Sequence, residues 1–344
     1  MSIFLKTKTK MRFFHIAAAA VLVSAPFGSL ACEICGCTAG NSTLGLLPLW
    51  QRHFVGLRWQ EEAYRTTPHG RESSSQERFQ TFDVWGRWMP HRRWQFIAIV
   101  PFRHAVRTFD DGRRHLAQGW GDLSLSAHYT LVEPLMSRPT RRRHTLQVGI
   151  GIGLPTGRSD IRNPELPALL LPPALQPGSG STSTWLSALY ALIGSRWGAS
   201  AEGQVRWNGS NNAGFRPGAP INGGLRLFYV WSAKRPPTRT VIPFVGVQMD
   251  YRLPDEQGGE RLPETGGWAA YGALGTELFA LNTSIGVAWR LPVAHELSGG
   301  FVNPVGQLTV YAAYLIRTSK PYRGNLPLPF SFQEVPKHSK SDKK

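Results

Sequence analysis

The stretch from Gly119 to Gly157 places the strongest constraint on what this chain can form, because two runs within it alternate apolar with small or polar residues. The apolar positions are Leu123, Leu125, Ala127, Tyr129 and Leu131 in the first run, and Leu146, Val148, Ile150, Ile152 and Leu154 in the second. A period of two is typical of a β-strand whose faces meet different solvents. Ordinary strands have about 5–6 residues, whereas a tilted strand that crosses a bilayer needs roughly 9–11. The stretch therefore predicts a membrane-spanning hairpin.

Further strand candidates along the chain bring the total to about twelve. They lie near His53–Thr66, Glu77–Met89, Trp94–Phe109, Ser183–Ile193, Trp197–Asn208, Pro220–Trp231, Thr240–Leu253, Trp268–Leu278, Leu281–Leu291 and Val305–Arg317. Short connections alternate with longer ones, the longest being Arg158–Thr182, and this alternation is typical of bacterial outer-membrane barrels. Because hydrocarbon offers no partner to an unpaired backbone group, a sheet in the membrane must close on itself. The predicted fold class is all-β: a transmembrane antiparallel up-and-down β-barrel over residues 53–318, located in the outer membrane of a Gram-negative bacterium.

The first 31 residues are typical of a cleaved secretory signal peptide. Four basic residues precede the apolar run Phe13–Val23, which is too short for a permanent transmembrane helix. Ser29-Leu30-Ala31 supplies small residues for signal peptidase, so the mature chain is expected to begin at Cys32. Lipidation of Cys32 remains an alternative. Residues 32–52 are then a lead-in, and the proline- and lysine-rich residues 319–344 are typical of a disordered tail. An even number of strands places both termini in the periplasm.

The basic charge of the chain does not indicate a nucleic-acid partner, although the formal net charge is +17. Four of the positive charges belong to the signal peptide, and Lys234 is the only lysine between Met11 and Ser319. A soluble surface would be expected to mix lysine and glutamate, so the composition disfavours a soluble β-sandwich. The expected partners are outer-membrane lipid, a small-molecule solute and the assembly machinery of the outer membrane.

All three cysteines of the chain, Cys32, Cys35 and Cys37, fall within six residues. In an oxidising compartment an odd number leaves at least one thiol unpaired within a monomer. Three thiols are suited to a soft metal such as Cu(I) or Zn(II). A Cys32–Cys35 disulfide, with Cys37 free or paired between chains, is an equally open alternative. The c-type haem signature is absent, because no Cys-His pair follows Cys35 at the required spacing.

Charged and polar residues follow the face opposite the apolar one, and in a barrel whose apolar face meets lipid they would line the lumen. The candidate lumen-lining residues are Asp83, Arg87, Asp122, His128, Glu202, Arg206, Arg226, Asp250, Arg252, Glu277 and Arg290. Both signs of charge occur, so partial pairing across the lumen is expected. The sequence leaves two interpretations open: a lumen filled by water and paired charges, or a constriction that selects a solute.

Three short motifs carry a resemblance to known proteins: Gly-Trp-Gly-Asp-Leu at 119–123, Leu-Pro-Thr-Gly at 154–157 and Cys-Glu-Ile-Cys-Gly-Cys at 32–37. The chain resembles outer-membrane barrels labelled as MetA-pathway phenol-degradation proteins or as transporters, in particular a subset with an N-terminal cysteine box. The resemblance covers most of the mature chain and implies a channel or transporter for a small, hydrophobic or aromatic solute.

Two other classes of function stay open at this point. One is a metal-linked outer-membrane component that uses the cysteines. The other is a lipid-acting barrel enzyme, which would need a serine and an orienting residue beside His128, and no sequence motif supplies them. A channel without enzymatic activity is the leading interpretation.

Overall fold

The computed structural model describes residues 52–67, 73–132, 142–232 and 239–316. The predicted signal peptide, the three cysteines and the predicted tail lie outside these ranges. Within the ranges, no helix is long and apolar enough to cross a membrane.

The described chain is almost entirely β-structure, in seventeen segments. They are β1 His53–Thr66, β2 Ser75–His91, β3 Trp94–Phe109, β4 Arg114–Trp120, β5 Leu123–Val132, β6 Arg143–Leu154, β7 Ser183–Ile193, β8 Trp197–Asn208, β9 Phe215–Arg216, β10 Pro220–Tyr229, β11 Trp231–Ser232, β12 Arg239–Arg252, β13 Asp255–Gln257, β14 Glu260–Leu262, β15 Gly267–Ala280, β16 Thr283–Leu297 and β17 Val302–Ile316.

Twelve antiparallel strands form a closed ring, which confirms the predicted fold class. The order around the ring is β1-β2-β3-β5-β6-β7-β8-β10-β12-β15-β16-β17. β1 closes it by pairing with β17 from His53↔Ile316 to Thr66↔Val302. β4 and β5 together make the fourth wall strand, because both pair with β3. The short segments β9, β13 and β14 form a separate small sheet.

Residues along the strands alternate between exposed and buried, as the sequence pattern predicts. On β1, Val55 and Leu57 are exposed, whereas Phe54 and Arg58 are buried inside the ring. The exposed set is apolar, and Ile150 on β6 is 61% exposed. Strands of this length exceed the roughly 9–11 residues that a bilayer requires. The barrel therefore carries a continuous apolar outer surface around a polar interior.

Apolar residues occur inside the barrel as well, in two clusters at opposite ends. We call the end at which β1 begins and β17 ends the terminal end, and the other the distal end. The terminal cluster includes Phe54, Trp85, Phe228, Ile242, Phe244, Phe279, Tyr311 and Leu315. The distal cluster comprises Tyr64, Phe79, Ala105, Ala117, Leu171, Leu175 and Val302. The interior is thus apolar at each end, with polar side chains between.

Two connections at the distal end are shorter than the sequence predicts. A long loop was expected after the third strand, but β3 turns over residues 110–113 directly into β4. A long loop was also expected after the eleventh strand, but β16 continues to Leu297 and β17 begins at Val302. In β4 the alternation persists through charged sequence, since His115 and Ala117 are buried and Leu116 is exposed. Ladder pairing with β3 thus extends the wall beyond the apolar pattern.

The alternation of faces predicts that a charge on the outer surface destabilises the barrel according to its depth. Val287→Arg, at the fifth residue of β16, should lower the free energy of unfolding by about 2–4 kcal/mol, because the guanidinium would lie in hydrocarbon. Val55→Arg, near the terminal end of β1, should lower it by only about 0–1 kcal/mol. Urea unfolding in lipid vesicles measures both values. Equal losses at the two positions would contradict this placement of the membrane.

Candidate functional site

Neighbouring strands contribute acid–base pairs to the barrel interior. Arg58 Nε on β1 lies 2.6 Å from Asp83 Oδ2 on β2, and nearer the distal end Arg107 Nε on β3 lies 3.1 Å from Glu77 Oε1 on β2. On the far wall, Arg226 Nη2 on β10 lies 2.7 Å from Glu202 Oε1 on β8. A buried charge without a partner costs several kcal/mol, so this pairing makes a charged interior compatible with a stable wall.

One interior ion pair joins strands that are not neighbours. Arg290 Nη1 on β16 lies 3.4 Å from Asp250 Oδ2 on β12, across the intervening strand β15. Glu62 on β1 accepts hydrogen bonds from Gln307 Nε2 on the neighbouring strand β17 and from the Tyr64 hydroxyl, at 2.5 and 3.1 Å. A lumen of paired charges and a selective constriction both stay predictions.

Arg87 and Arg206 interact with aromatic rings on the inner face of the wall. The Arg87 guanidinium lies 4.9 Å from the Phe54 ring centroid and donates to Gln95 Oε1 at 3.2 Å. The Arg206 guanidinium lies 4.6 Å from the centroid of the Trp185 ring. Stacking of this kind holds an arginine side chain against the wall. Glu277, the remaining predicted residue of this face, is fully buried on β15.

Gly151 explains how the Trp185 ring fits inside the barrel. A Cβ placed on Gly151 would lie 2.1 Å from the Trp185 ring, so only glycine lets the indole lie flat against β6. The other glycines of β6 likewise accommodate side chains of the adjacent strands, including the imidazole of His128 over Gly149.

His128 has a serine partner that the sequence analysis missed. Its Nε2 lies 3.0 Å from Ser126 Oγ, two residues earlier on β5. A serine–histidine hydrolase also needs a carboxylate that orients the imidazole. In the described part of the chain, the hydrogen-bond partner given for His128 is Ser126, and no carboxylate accompanies the pair.

Asp122 and Arg252, both expected in the lumen, lie at the distal end. Asp122 occupies the break between β4 and β5, where its carboxylate accepts hydrogen bonds from Gly157 N, Ser179 N and Ser179 Oγ at 3.0, 2.8 and 2.6 Å. Arg252 pairs with the buried Asp255. Both carboxylates organise the connections of the distal end rather than the middle of the barrel.

The loop of residues 155–182, which we call the closing loop, enters the distal mouth of the barrel. Leu171 and Leu175 are 2% and 0% exposed and belong to the distal cluster, together with Tyr64 of β1 and Val302 of β17. Arg103 Nη1 on β3 donates to the Gln176 carbonyl at 3.3 Å. The sequence predicts an exposed loop here. The apolar run of residues 169–175 was the signal that could have revealed insertion, since a leucine-rich segment in water is unfavourable.

The outer part of the closing loop contacts the neighbouring hairpin. Arg113, in the turn between β3 and β4, lies 3.1 Å from Glu165 Oε2 and 2.7 Å from Asp111 Oδ2. Hydrogen bonds from the backbone N–H and the side chain of Arg113 lower the pKa of Asp111. These contacts are solvent-exposed and therefore weak. The loop depends mainly on its buried leucines and on Asp122.

The predicted metal site lies outside the described residues, because Cys32, Cys35 and Cys37 precede them. Among the residues that the structure does describe, no group of three or more histidine, cysteine, aspartate or glutamate side chains could hold a metal ion.

Comparison with known proteins gives the fold its context. No protein-family model and no curated protein matches the sequence. Among solved structures, the COG4313 outer membrane channel from Pseudomonas putida F1 aligns with a TM-score of 0.58 and 13% identity, covering 77% of this chain and 96% of that one. The β domain of the Bordetella autotransporter BrkA aligns with a TM-score of 0.44 and 10% identity, over 77% of this chain and all of that one. The chain has the fold of outer-membrane β-barrels, and membership of the phenol-degradation or transporter family stays a prediction.

The hydrogen bonds of Asp122 predict how firmly the closing loop is held. Asp122→Ala removes the acceptor for three donors, two of them backbone N–H groups, and should therefore increase cleavage of residues 158–170 in limited proteolysis. Asp160→Ala is the matched control, because this exposed carboxylate of the same loop pairs only with exposed Arg158 in the described part of the chain. Equal cleavage of the two variants would show that Asp122 does not restrain the loop.

Proposed function

We propose that the protein is an outer-membrane channel for a small solute, and that the closing loop gates its distal mouth. The observation that carries the proposal is the insertion of Leu171 and Leu175 into the mouth of a closed twelve-stranded barrel. An eight-stranded barrel is filled by its own side chains, whereas a wider one leaves space inside. Here a loop, and not the wall, occupies that space at the distal end.

The interior composition is suited to passage of a solute once the loop leaves. The acid–base pairs of the middle layer satisfy one another within the wall, so opening the mouth would expose a hydrated, nearly neutral surface rather than isolated charges. The P. putida barrel of the same fold is itself an outer membrane channel. A solute would cross a lumen whose charges are already paired with one another without a large electrostatic barrier.

The terminal cluster favours an apolar or aromatic solute over a sugar. Phe54, Phe228, Phe244, Phe279 and Tyr311 are buried inside the ring at that end. A solute that crosses the barrel must pass these side chains, and aromatic surfaces stabilise apolar and aromatic molecules by burial and ring contacts. The solute class that the resemblance implies agrees with this lining.

Planar-bilayer recording of refolded protein tests the gate. Leu171→Ser with Leu175→Ser should raise the open fraction and the mean conductance, because hydroxyl groups weaken burial in the apolar mouth. Leu166→Ser with Leu169→Ser is the matched control, since these leucines of the same loop are 57% and 56% exposed. The control should conduct like the wild type.

Two outcomes of this recording would count against the proposal. If the two double variants behave alike, the closing loop is not the gate. If neither the wild type nor a variant with residues 159–180 replaced by a short Gly-Ser linker produces conductance steps, the channel function itself is contradicted.

A further inference from the structure

A groove on the outer surface of the barrel points to a lipid site. It has a volume of about 750 Å³ and is lined by residues of β1, β2, β3, β5, β6 and β7, including Phe54, Arg87 and Ser126, whose side chains are buried on the inner face of the wall. The small outward-facing residues Gly86, Ala98 and Ala127 lie in it, between the larger exposed side chains of Trp88, Phe96, Leu125, Ile150 and Ile152. The hollow follows from this difference in side-chain size. Because this face of the wall is the apolar one, the groove opens toward hydrocarbon.

The groove runs across the strands along the hydrogen-bonding direction, since Gly86 pairs with Ala98, Ala98 with Leu125 and Leu125 with Ile152. Barrel strands tilt by about 35–45°, so the groove is inclined to the membrane plane and deepens along its length. Its β2–β3 end is close to the turn at the terminal end, since Trp88 comes four residues before Arg92 and Phe96 three residues after Arg93. Its other end, at Ile152, lies nine residues from the start of β6. Five strands about 4.8 Å apart give it a length of roughly 19 Å. A groove that begins near the membrane surface and descends this far is shaped for an extended acyl chain.

The shallow end carries features that a lipid headgroup would recognise. Arg92 and Arg93 are both exposed in the turn between β2 and β3. Arg93 Nη1 lies 3.3 Å from the Tyr129 hydroxyl, and the Tyr129 ring contacts Trp94, with centroids 5.0 Å apart. Aromatic residues of this kind lie at the level of the headgroups, and cations at that level attract anionic lipids.

We propose that this surface, the lipid groove, binds a glycerophospholipid with an anionic headgroup. Arg92 and Arg93 hold the phosphate-bearing headgroup, and one acyl chain lies along Gly86, Ala98 and Ala127. The site is on the outside of the wall and is independent of whether the barrel conducts. Charge at one end and an apolar hollow at the other distinguish it from the general lipid-facing surface.

Native mass spectrometry of the full-length protein in detergent tests the headgroup. The probes are phosphatidylglycerol and phosphatidylcholine with identical acyl chains, and the wild type should bind phosphatidylglycerol more tightly. Arg92→Gln with Arg93→Gln should reduce that binding by roughly thirtyfold, since each cation near a membrane surface contributes about a fivefold change. Arg196→Gln with Arg239→Gln removes the same charge from exposed positions at the same end and should leave binding unchanged.

A second pair of variants tests the hollow. Ala98→Leu fills the groove and should weaken binding of both lipids severalfold. Ala312→Leu adds the same group to the exposed face of β17, outside the groove, and should not. Heat-modifiable migration on gels confirms that each variant is folded.

Three results would overturn the proposal. Equal binding of the two lipids by the wild type would mean that the groove holds only annular lipid. Equal binding by Ala98→Leu and Ala312→Leu would exclude the groove as the site. A change in oligomeric mass on Ala98→Leu, without a change in lipid binding, would identify the occupant as a second copy of the chain.

Discussion

The pairing of the first strand with the last is the interaction on which the rest of the structure depends. β1 and β17 are separated by nearly the whole described chain, yet they pair over the full length of β1. Without this seam, two strand edges would present unpaired N–H and C=O groups to hydrocarbon, each costing several kcal/mol. Every other feature of the molecule, including the interior pairs, the closing loop and the outer groove, presupposes a wall without edges.

The outer and inner faces of the closed wall meet different surroundings, and the sequence places different residues on each face. Outside, the solvent is lipid, and Val55, Leu57 and Ile150 meet it directly. Inside, charge is retained but paired, as in Arg58–Asp83 and Arg226–Glu202. Apolar residues occur again inside the two ends of the barrel. The barrel is thus a layered interior within an apolar shell rather than an empty cylinder.

Sequence periodicity predicted the wall well because side-chain alternation is a local property of a strand. His53–Thr66, Trp94–Phe109, Ser183–Ile193 and Trp197–Asn208 agree with the structure at both ends. The pattern failed where strands leave the membrane. The outer face of β4 carries exposed polar residues such as Arg114 and Gln118, so this segment resembles a loop although the ladder with β3 continues.

The interior contacts could be predicted from the sequence only in part. The polar face could be assigned residue by residue, but which acid meets which base depends on the stagger of the strands, and composition does not encode it. Asp122 is an example. Its position on the polar face predicts that its side chain lines the lumen. Because the strand is interrupted at Gly121, its carboxylate instead binds the closing loop. Contacts between residues 35 and 57 positions apart have no local signature.

The composition of the distal cluster fixes the order in which the molecule can be completed. Leu171 and Leu175 pack against side chains from both the first strand and the last, Tyr64 and Val302 among them. This binding surface does not exist until the seam between β1 and β17 has formed. A partly assembled sheet therefore lacks the surface against which the closing loop packs. Leu171 and Leu175 stay exposed while the remaining strands insert. Occupation of the mouth by the closing loop therefore requires a barrel whose wall is already closed.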